Sequence, residues 1–223
     1  MAELRAVVVI DYQNVHLTGH GLFAISKDAP VHESLIDPLL FANQLIAARN
    51  RAQRPGMAAA VLHRVLVYRG QPSAEHDPKP YARNQAQKAQ WERDRRVTVT
   101  LRPLKYRYER DETGRPVFDA AGKKMVQGKD EKGVDVLCAL ALVREARLTD
   151  VDLVILASQD SDLEPALDET LALNTAKVET FCWFDSTQPR RTRQLRPGGD
   201  RRVWNTRLTE NEFRSCWDPT DYN

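Results

Sequence analysis

The apolar positions of this chain fall into short unbroken runs separated by polar or amphipathic stretches. Ala6-Val7-Val8-Val9-Ile10 is the first run, and it stops at Asp11. Residues 153–157 repeat the pattern, and residues 61–68, 97–101 and 178–184 are further strand-like segments in which apolar residues predominate. A strand covered on one face alternates apolar and polar side chains, whereas a strand covered on both faces reads as a continuous apolar run. These five segments are therefore expected as buried strands of a parallel sheet.

The stretches between them carry helical signals. Asp37-Pro38 places an N-cap and a first-turn proline ahead of Leu39, Leu40, Phe41, Leu45 and Ile46. Residues 81–96 predict a polar, exposed helix anchored by Trp91. Residues 131–148 predict a strong helix: Val134, Leu137, Cys138 and Ala141 follow the 3.6-residue period, and Val136, Leu140 and Val143 spread the apolar surface nearly all round. Such a helix is expected to be deeply buried. Residues 161–174 form the next helix, with Ser161-x-x-Glu164 as a capping box, and Thr209-x-x-Glu212 opens a short terminal one. Residues 12–36, interrupted by Gly19, Gly21 and Pro30, read as loop with at most a short helix. Residues 105–128 read as an inserted β-hairpin with turns at Glu112-Thr113-Gly114 and Ala121-Gly122, and residues 190–202 as a flexible loop. Strands alternating with helices give the fold class α/β, a three-layer α/β/α sandwich with a mostly parallel central sheet plus the hairpin.

The 223 residues suffice for one or two domains, and no linker splits them. No apolar run approaches the ~20 residues of a spanning helix, which argues against a membrane protein. The first residues run straight into the first strand and lack the layout of a cleaved signal peptide. Three scattered cysteines, Cys138, Cys182 and Cys216, form no Cys-x-x-Cys and suit a reducing, cytoplasmic setting.

A net charge of +2 conceals an uneven distribution. Residues 79–107 hold nine Lys/Arg against two acids, and residues 189–207 hold seven Arg against one acid. Residues 148–188 hold nine acids against one Lys. Either basic segment alone could be a solvated face. Together they suggest a polyanion-binding rim around a cation-binding centre, and arginine favours phosphate because its fork matches two oxygens at once.

Sites in open α/β sheets form at the carboxyl ends of strands. Two strands end in carboxylates there: Ile10-Asp11, followed by Tyr12-Gln13-Asn14, and Ala157-Ser158-Gln159-Asp160-Ser161-Asp162. Asp135 stands among Val134, Val136 and Leu137 in the strong helix, with Glu131 four residues earlier. A carboxylate at the edge of an apolar core needs a cation or donors, and several carboxylates with water are how Mg²⁺ or Mn²⁺ is held. Each acid also has a plainer role. Asp162 could be a first-turn helix acid, Asp11 an Asx-turn residue, Asp135 a partner of Lys132 or Lys129, Asn14 a turn residue, and Glu131 a helix N-terminal acid. His16 and His20 lie four apart, but Thr18-Gly19 argues against a helix there; in a loop beside Asp11 they could contact substrate. Tyr106, Tyr108 and Trp91 lie among cations and either stack bases or simply pack.

Three segments occur in order: Val8-Val9-Ile10-Asp11-Tyr12-Gln13-Asn14-Val15, Lys132-Gly133-Val134-Asp135-Val136, and Ile155-Leu156-Ala157-Ser158-Gln159-Asp160-Ser161-Asp162-Leu163-Glu164-Pro165. Together they resemble the NYN domain, a branch of the PIN-like nucleases, over about residues 5–185. The nuclease domain is then expected over residues 1–188, while the hairpin at about 105–128 and residues 189–223, an Arg-rich loop and short helix expected to pack on the same domain, are additions that the resemblance does not explain. The resemblance implies a Mg²⁺- or Mn²⁺-dependent endoribonuclease with metal-site acids at Asp11, Asp135, Asp160 and Asp162, and a polar partner at Asn14. Where the family has Gly, this chain has Gln159. RNA is then the expected partner, guided by Lys132, Arg83, Arg96, Arg190, Arg191 and Arg193, with room for a homodimer. The rivals are an inactive PIN-like module that holds RNA or protein, a phospho-acceptor domain using Asp11, which would want an acid where Gln13 stands, and a nuclease that cuts DNA.

Overall fold

The computed structural model describes residues 3–24, 26 and 29–222. Along the chain, β1 (Leu4–Asp11) leads directly into α1 (Tyr12–Phe23), followed by α2 (Pro38–Ala52), β2 (Ala60–Gln71), α3 (Pro78–Trp91) and β3 (Val97–Pro103). Next come β4 (Lys105–Tyr108), β5 (Val126–Asp130), α4 (Val134–Ala146), β6 (Leu153–Ala157) and α5 (Glu164–Leu173). The chain closes with β7 (Lys177–Trp183), β8 (Trp204–Leu208) and α6 (Glu210–Ser215). Six strands form one sheet in the order β3-β2-β1-β6-β7-β8, with every pairing parallel. Strands β4 and β5 pair antiparallel as a separate ribbon.

The reason for the unbroken apolar runs is visible in β1. Ala6, Val8 and Ile10 pack on one side of the sheet with α1, α2 and α6, while Val7 and Val9 pack on the other with α4 and α5. Helices thus cover both faces. Among the described residues no helix is long and apolar enough to cross a membrane. All three cysteines are free and buried.

Several expectations need correction. The stretch after Asp11 is a twelve-residue helix, not a loop. Gly19 interrupts the pattern because helix α6 comes so close: a Cβ there would lie 2.6 Å from the Phe213 ring and 3.0 Å from Trp183 Nε1. Helix α4 is not buried all round, since Val136 and Leu140 are more than half exposed. It also starts later than expected, after Gly133, whose φ of +78° is a conformation that glycine adopts without strain. Glu131 therefore precedes the helix and does not share a helical face with Asp135.

The Arg-rich segment is a packed crossover rather than a free loop. Leu195 is fully buried with α4 and α5, Glu164 accepts from the Arg196 N–H at 3.1 Å, and Asp168 accepts from the Gly198 N–H at 2.7 Å. The crossover ends in β8, a sixth strand that the hydrophobic pattern does not announce. The hairpin forms as expected, with φ of +80° at Gly114 and +76° at Gly122 in its two turns. Its Tyr106 and Tyr108 pack on His76, and the Tyr106 hydroxyl bonds Asp77. Trp91 is buried and donates to Asp218 at 2.6 Å. These three aromatics therefore pack rather than offer open stacking faces.

Candidate functional site

The strand order reverses between β1 and β6, which are neighbours although β1 precedes β2 and β6 follows β5 in the chain. This is the switch point where a crevice opens beyond the carboxyl ends of the strands. A polar cleft of about 230 Å³ lies there, lined by Asp11, Glu131, Lys132, Gly133, Val134, Asp135 and Asp160. Four acids from three remote stretches of chain thus share one cleft. Lys132 sits on the same wall and makes no ion pair among the described residues, and Lys129 pairs with Asp77, so neither salt bridge suggested for Asp135 forms.

Asp11 ends β1 and caps α1. Its carboxylate accepts from the Asn14 N–H at 3.2 Å and from the Ser158 hydroxyl at 3.2 Å. The Asx-type capping role and the cleft position coexist in one side chain. Burial pushes the Asp11 carboxyl up to about 6; the charges of Asp160 and Asp135 push the same way, and the two hydrogen bonds oppose them. Glu131 is likewise raised to about 6 by burial, with Asp11 adding to the rise and the Gly70 N–H and Arg69 opposing it. Glu131 reached the cleft without a strong sequence signal. Its place in a non-helical turn before Gly133 is what sets it there.

Asp160 caps a 3₁₀ turn (Ser161–Leu163), accepting from the Asp162 N–H at 3.0 Å. The cap is Asp160, then, and not Ser161. Asp162 is exposed and takes no part in lining the cleft. The fourth carboxylate at this cleft is Glu131.

Asn14 and Gln159 hold the two strand ends together. The Asn14 Oδ1 accepts from the Gln159 N–H at 2.7 Å. The Gln159 side chain, 5% exposed, accepts from the Trp183 N–H at 3.0 Å and donates to the Arg193 carbonyl at 2.8 Å. Gln159 therefore ties the start of α1, β7 and the Arg-rich crossover to the loop that carries Asp160. A glycine there could make none of these side-chain bonds.

The expected RNA-binding residues divide. Arg193 is exposed and its backbone is fixed beside the Asp160 loop. Arg83 lines a cavity that adjoins the cleft through Glu131. Arg191 donates to the Gly21 carbonyl at 2.9 Å and packs on the end of α1. Arg96 is a correction: it pairs with Asp94 at 2.8 Å beside the amino end of β3, remote from the cleft. The Arg190 side chain lies outside the described residues.

As donors for a cation, the cleft offers carboxylate oxygens, the ligands that suit Mg²⁺ or Mn²⁺ rather than a thiolate-seeking ion. Among the described residues, no three acidic, histidine or cysteine side chains are gathered into a ready-made ligand set.

No protein-family model matches the chain, and no curated protein sequence does. A crystal structure of a protein of unknown function from Vibrio parahaemolyticus is similar, with 22% identity over 80% of this chain and 81% of that one and a TM-score of 0.43. Helices on both faces of a parallel sheet, with an antiparallel ribbon inserted between β3 and α4, make this an α/β protein.

Proposed function

We propose that the chain is a divalent-cation-dependent endoribonuclease of the NYN type, with its active site in the acidic cleft between β1 and β6. The observation that carries this reading is Asp11. It is a carboxylate 6% exposed at a strand end, given two hydrogen bonds, no ion pair among the described residues, and the charges of Asp160 and Asp135 acting on it. Such an arrangement is costly for the fold by itself and is relieved by a bound cation.

Asp11, Asp135 and Asp160 would hold Mg²⁺ or Mn²⁺, directly or through water, with Glu131 taking the place assigned to Asp162. Bound there, the ion would supply an activated water and charge stabilisation for phosphodiester hydrolysis. The chain's own groups do the rest. Ser158 and the Asn14 N–H fix the Asp11 carboxylate. The Asn14 Oδ1 is already committed to Gln159, so only its amide nitrogen is left to orient a ligand. Lys132, exposed on the cleft wall, faces an incoming phosphate, and Arg193 extends the positive rim.

The dispersal of the carboxylates favours a second reading, an inactive relative that holds RNA without cutting it. One assay separates them. Labelled RNA is incubated with the protein in Mn²⁺ or in chelator, beside single-stranded DNA. The nuclease reading expects Mn²⁺-dependent fragments that vanish in Asp160→Asn, with RNA binding kept or tightened because a repulsive carboxylate is gone. A gel shift without fragments supports the inactive module. Undiminished metal-dependent cleavage in both Asp11→Asn and Asp160→Asn removes the proposed site, and preferential cutting of DNA changes the substrate.

A further inference from the structure

A second cavity, of about 440 Å³, adjoins the acidic cleft, and Glu131 is a wall of both. Its charge is of the opposite kind. Arg69, Arg83 and Lys129 line it, and Glu131 is its one acid among the described residues. Lys129 is engaged with Asp77 at 2.9 Å. Arg69 is not matched in this way. It extends from the end of β2, lies over the Tyr12 ring at 4.7 Å and near the Trp91 ring at 5.8 Å, and hydrogen-bonds the neutral Gln87 side chain. Among the described residues it has no carboxylate within ion-pair distance, though Glu131 acts on it from farther off. A guanidinium that is mostly withdrawn from water and held rigidly by rings and a single amide is prepared for an anion.

A second polar group stands on the wall of the same cavity. His16, on the face of α1 that lines it, is 5% exposed, and its Nε2 has no hydrogen-bond partner among the described residues. Buried polar atoms ordinarily have partners, so the His16 ring has polar capacity to spare beside the cavity. Leu17, Val31, Leu35 and Leu104 also line the cavity and supply it with apolar surface. The volume lies in the range of small-molecule sites.

We infer that this cavity binds one nucleotide of the RNA, with its phosphate on Arg69, its polar edge toward His16, and its base against the apolar surface. The nucleotide is the neighbour of the one held at the acidic cleft, because Glu131 separates the two chambers. The inference deepens the nuclease reading and rests on it for the polymer; the anion site itself stands on Arg69 and His16.

The test is binding in chelator, where no cleavage occurs. The probes are a 5′-phosphorylated RNA trinucleotide and its 5′-hydroxyl twin, titrated calorimetrically into the full chain. Arg69→Gln is expected to weaken binding at least about tenfold, as loss of a charged hydrogen-bonding partner does. Leu17→Trp, which fills the cavity from a side chain 42% exposed, is expected to weaken it comparably without touching the core. Lys177→Ala, at the far end of the sheet, leaves binding unchanged. Equal binding of the twins assigns the pocket to an internal phosphodiester, and preference for the phosphorylated one assigns it to a chain end. If neither trinucleotide binds, or if binding persists undiminished in Leu17→Trp, the inference is overturned, whether or not Arg69→Gln folds. Binding that depends on Arg69 in a protein that cuts no RNA would retire the nuclease reading and keep the pocket; cleavage without such binding would do the reverse.

Discussion

Two acids are buried to a similar depth in this sheet and treated in opposite ways. Glu179 lies in the amino-terminal half of β7, 2% exposed. It receives both Nε and Nη2 of Arg49, at 3.1 and 3.0 Å, and Arg49 is itself fully buried and also bonds the Ala58 carbonyl at 2.9 Å. That pair is electrically closed and ties α2 to the sheet. Asp11, at the carboxyl end of β1, has a backbone N–H and a hydroxyl instead, and carboxylates for charged neighbours. Depth of burial therefore does not distinguish an acid matched inside the fold from one left unmatched. Whether the surroundings neutralise the charge does.

The largest expected effect breaks the closed pair. Arg49→Met leaves Glu179 buried without a cation, which costs about 3–5 kcal/mol. In a chain of this size that lowers the melting temperature by roughly 10 °C. Scanning calorimetry checks it, and a loss below about 1 kcal/mol would show that Glu179 finds other compensation. Replacing both partners with apolar residues should restore most of the stability.

The next effect closes the open site. Mn²⁺ at about a hundred times its dissociation constant should stabilise the protein by about 2.7 kcal/mol. The thermal shift should be present at pH 7.5 and fade below pH 5, because Asp11 and Glu131, both raised to about 6, take up protons in that interval. Chelator should reverse it. No shift at any pH would mean that the carboxylates do not act together on an ion.

The smallest effect reads the open site without metal. The folded Asp11 carboxyl, near 6, lies above its unfolded value near 3.8. The fold therefore holds the proton more tightly, and the stability this contributes is whole below pH ~4 and lost as pH rises through 6. Asp11→Asn keeps the capping oxygen and removes the charge. In chelator it should stabilise the protein by roughly 1–3 kcal/mol at pH 7.5 and by little at pH 4, the range allowing for shared titration with Glu131. Equal stability of mutant and wild type across that range, read from chemical denaturation, would remove the contrast with Glu179.

The parts of the fold that were legible share a physical cause. Strands β1, β2, β6 and β7 announce themselves because their cores are covered on both faces, edge strand β3 shows by the alternation of buried Val97 and Val99 with Thr98 and Thr100, and Trp91 stood out as a large apolar side chain on an otherwise polar helix. Strand β8 is an edge strand that buries only Thr206 and Leu208, too little to leave a pattern. Helix α1 was hidden by Gly19, whose missing side chain serves the approach of Phe213 and is a poor helix former by itself. Within the site, Asp11 and Asp160 were legible as acids stopping apolar runs. Asp162 looked equivalent to Asp160, yet one residue caps the turn and the other faces solvent. Arg69 gave the same kind of signal as Asp11, a charge directly after a strand core, and only its position over Tyr12 reveals it.

The sequence by itself determined which segments must be buried and that carboxylates end two of them, since burial and charge are properties each segment carries locally. The tertiary structure alone decided that β1 lies beside β6, that Glu131 rather than Asp162 joins the cleft, and that an unmatched arginine stands next door. Those outcomes depend on strand order and on contacts between residues far apart in the chain, and no local pattern of side chains encodes them.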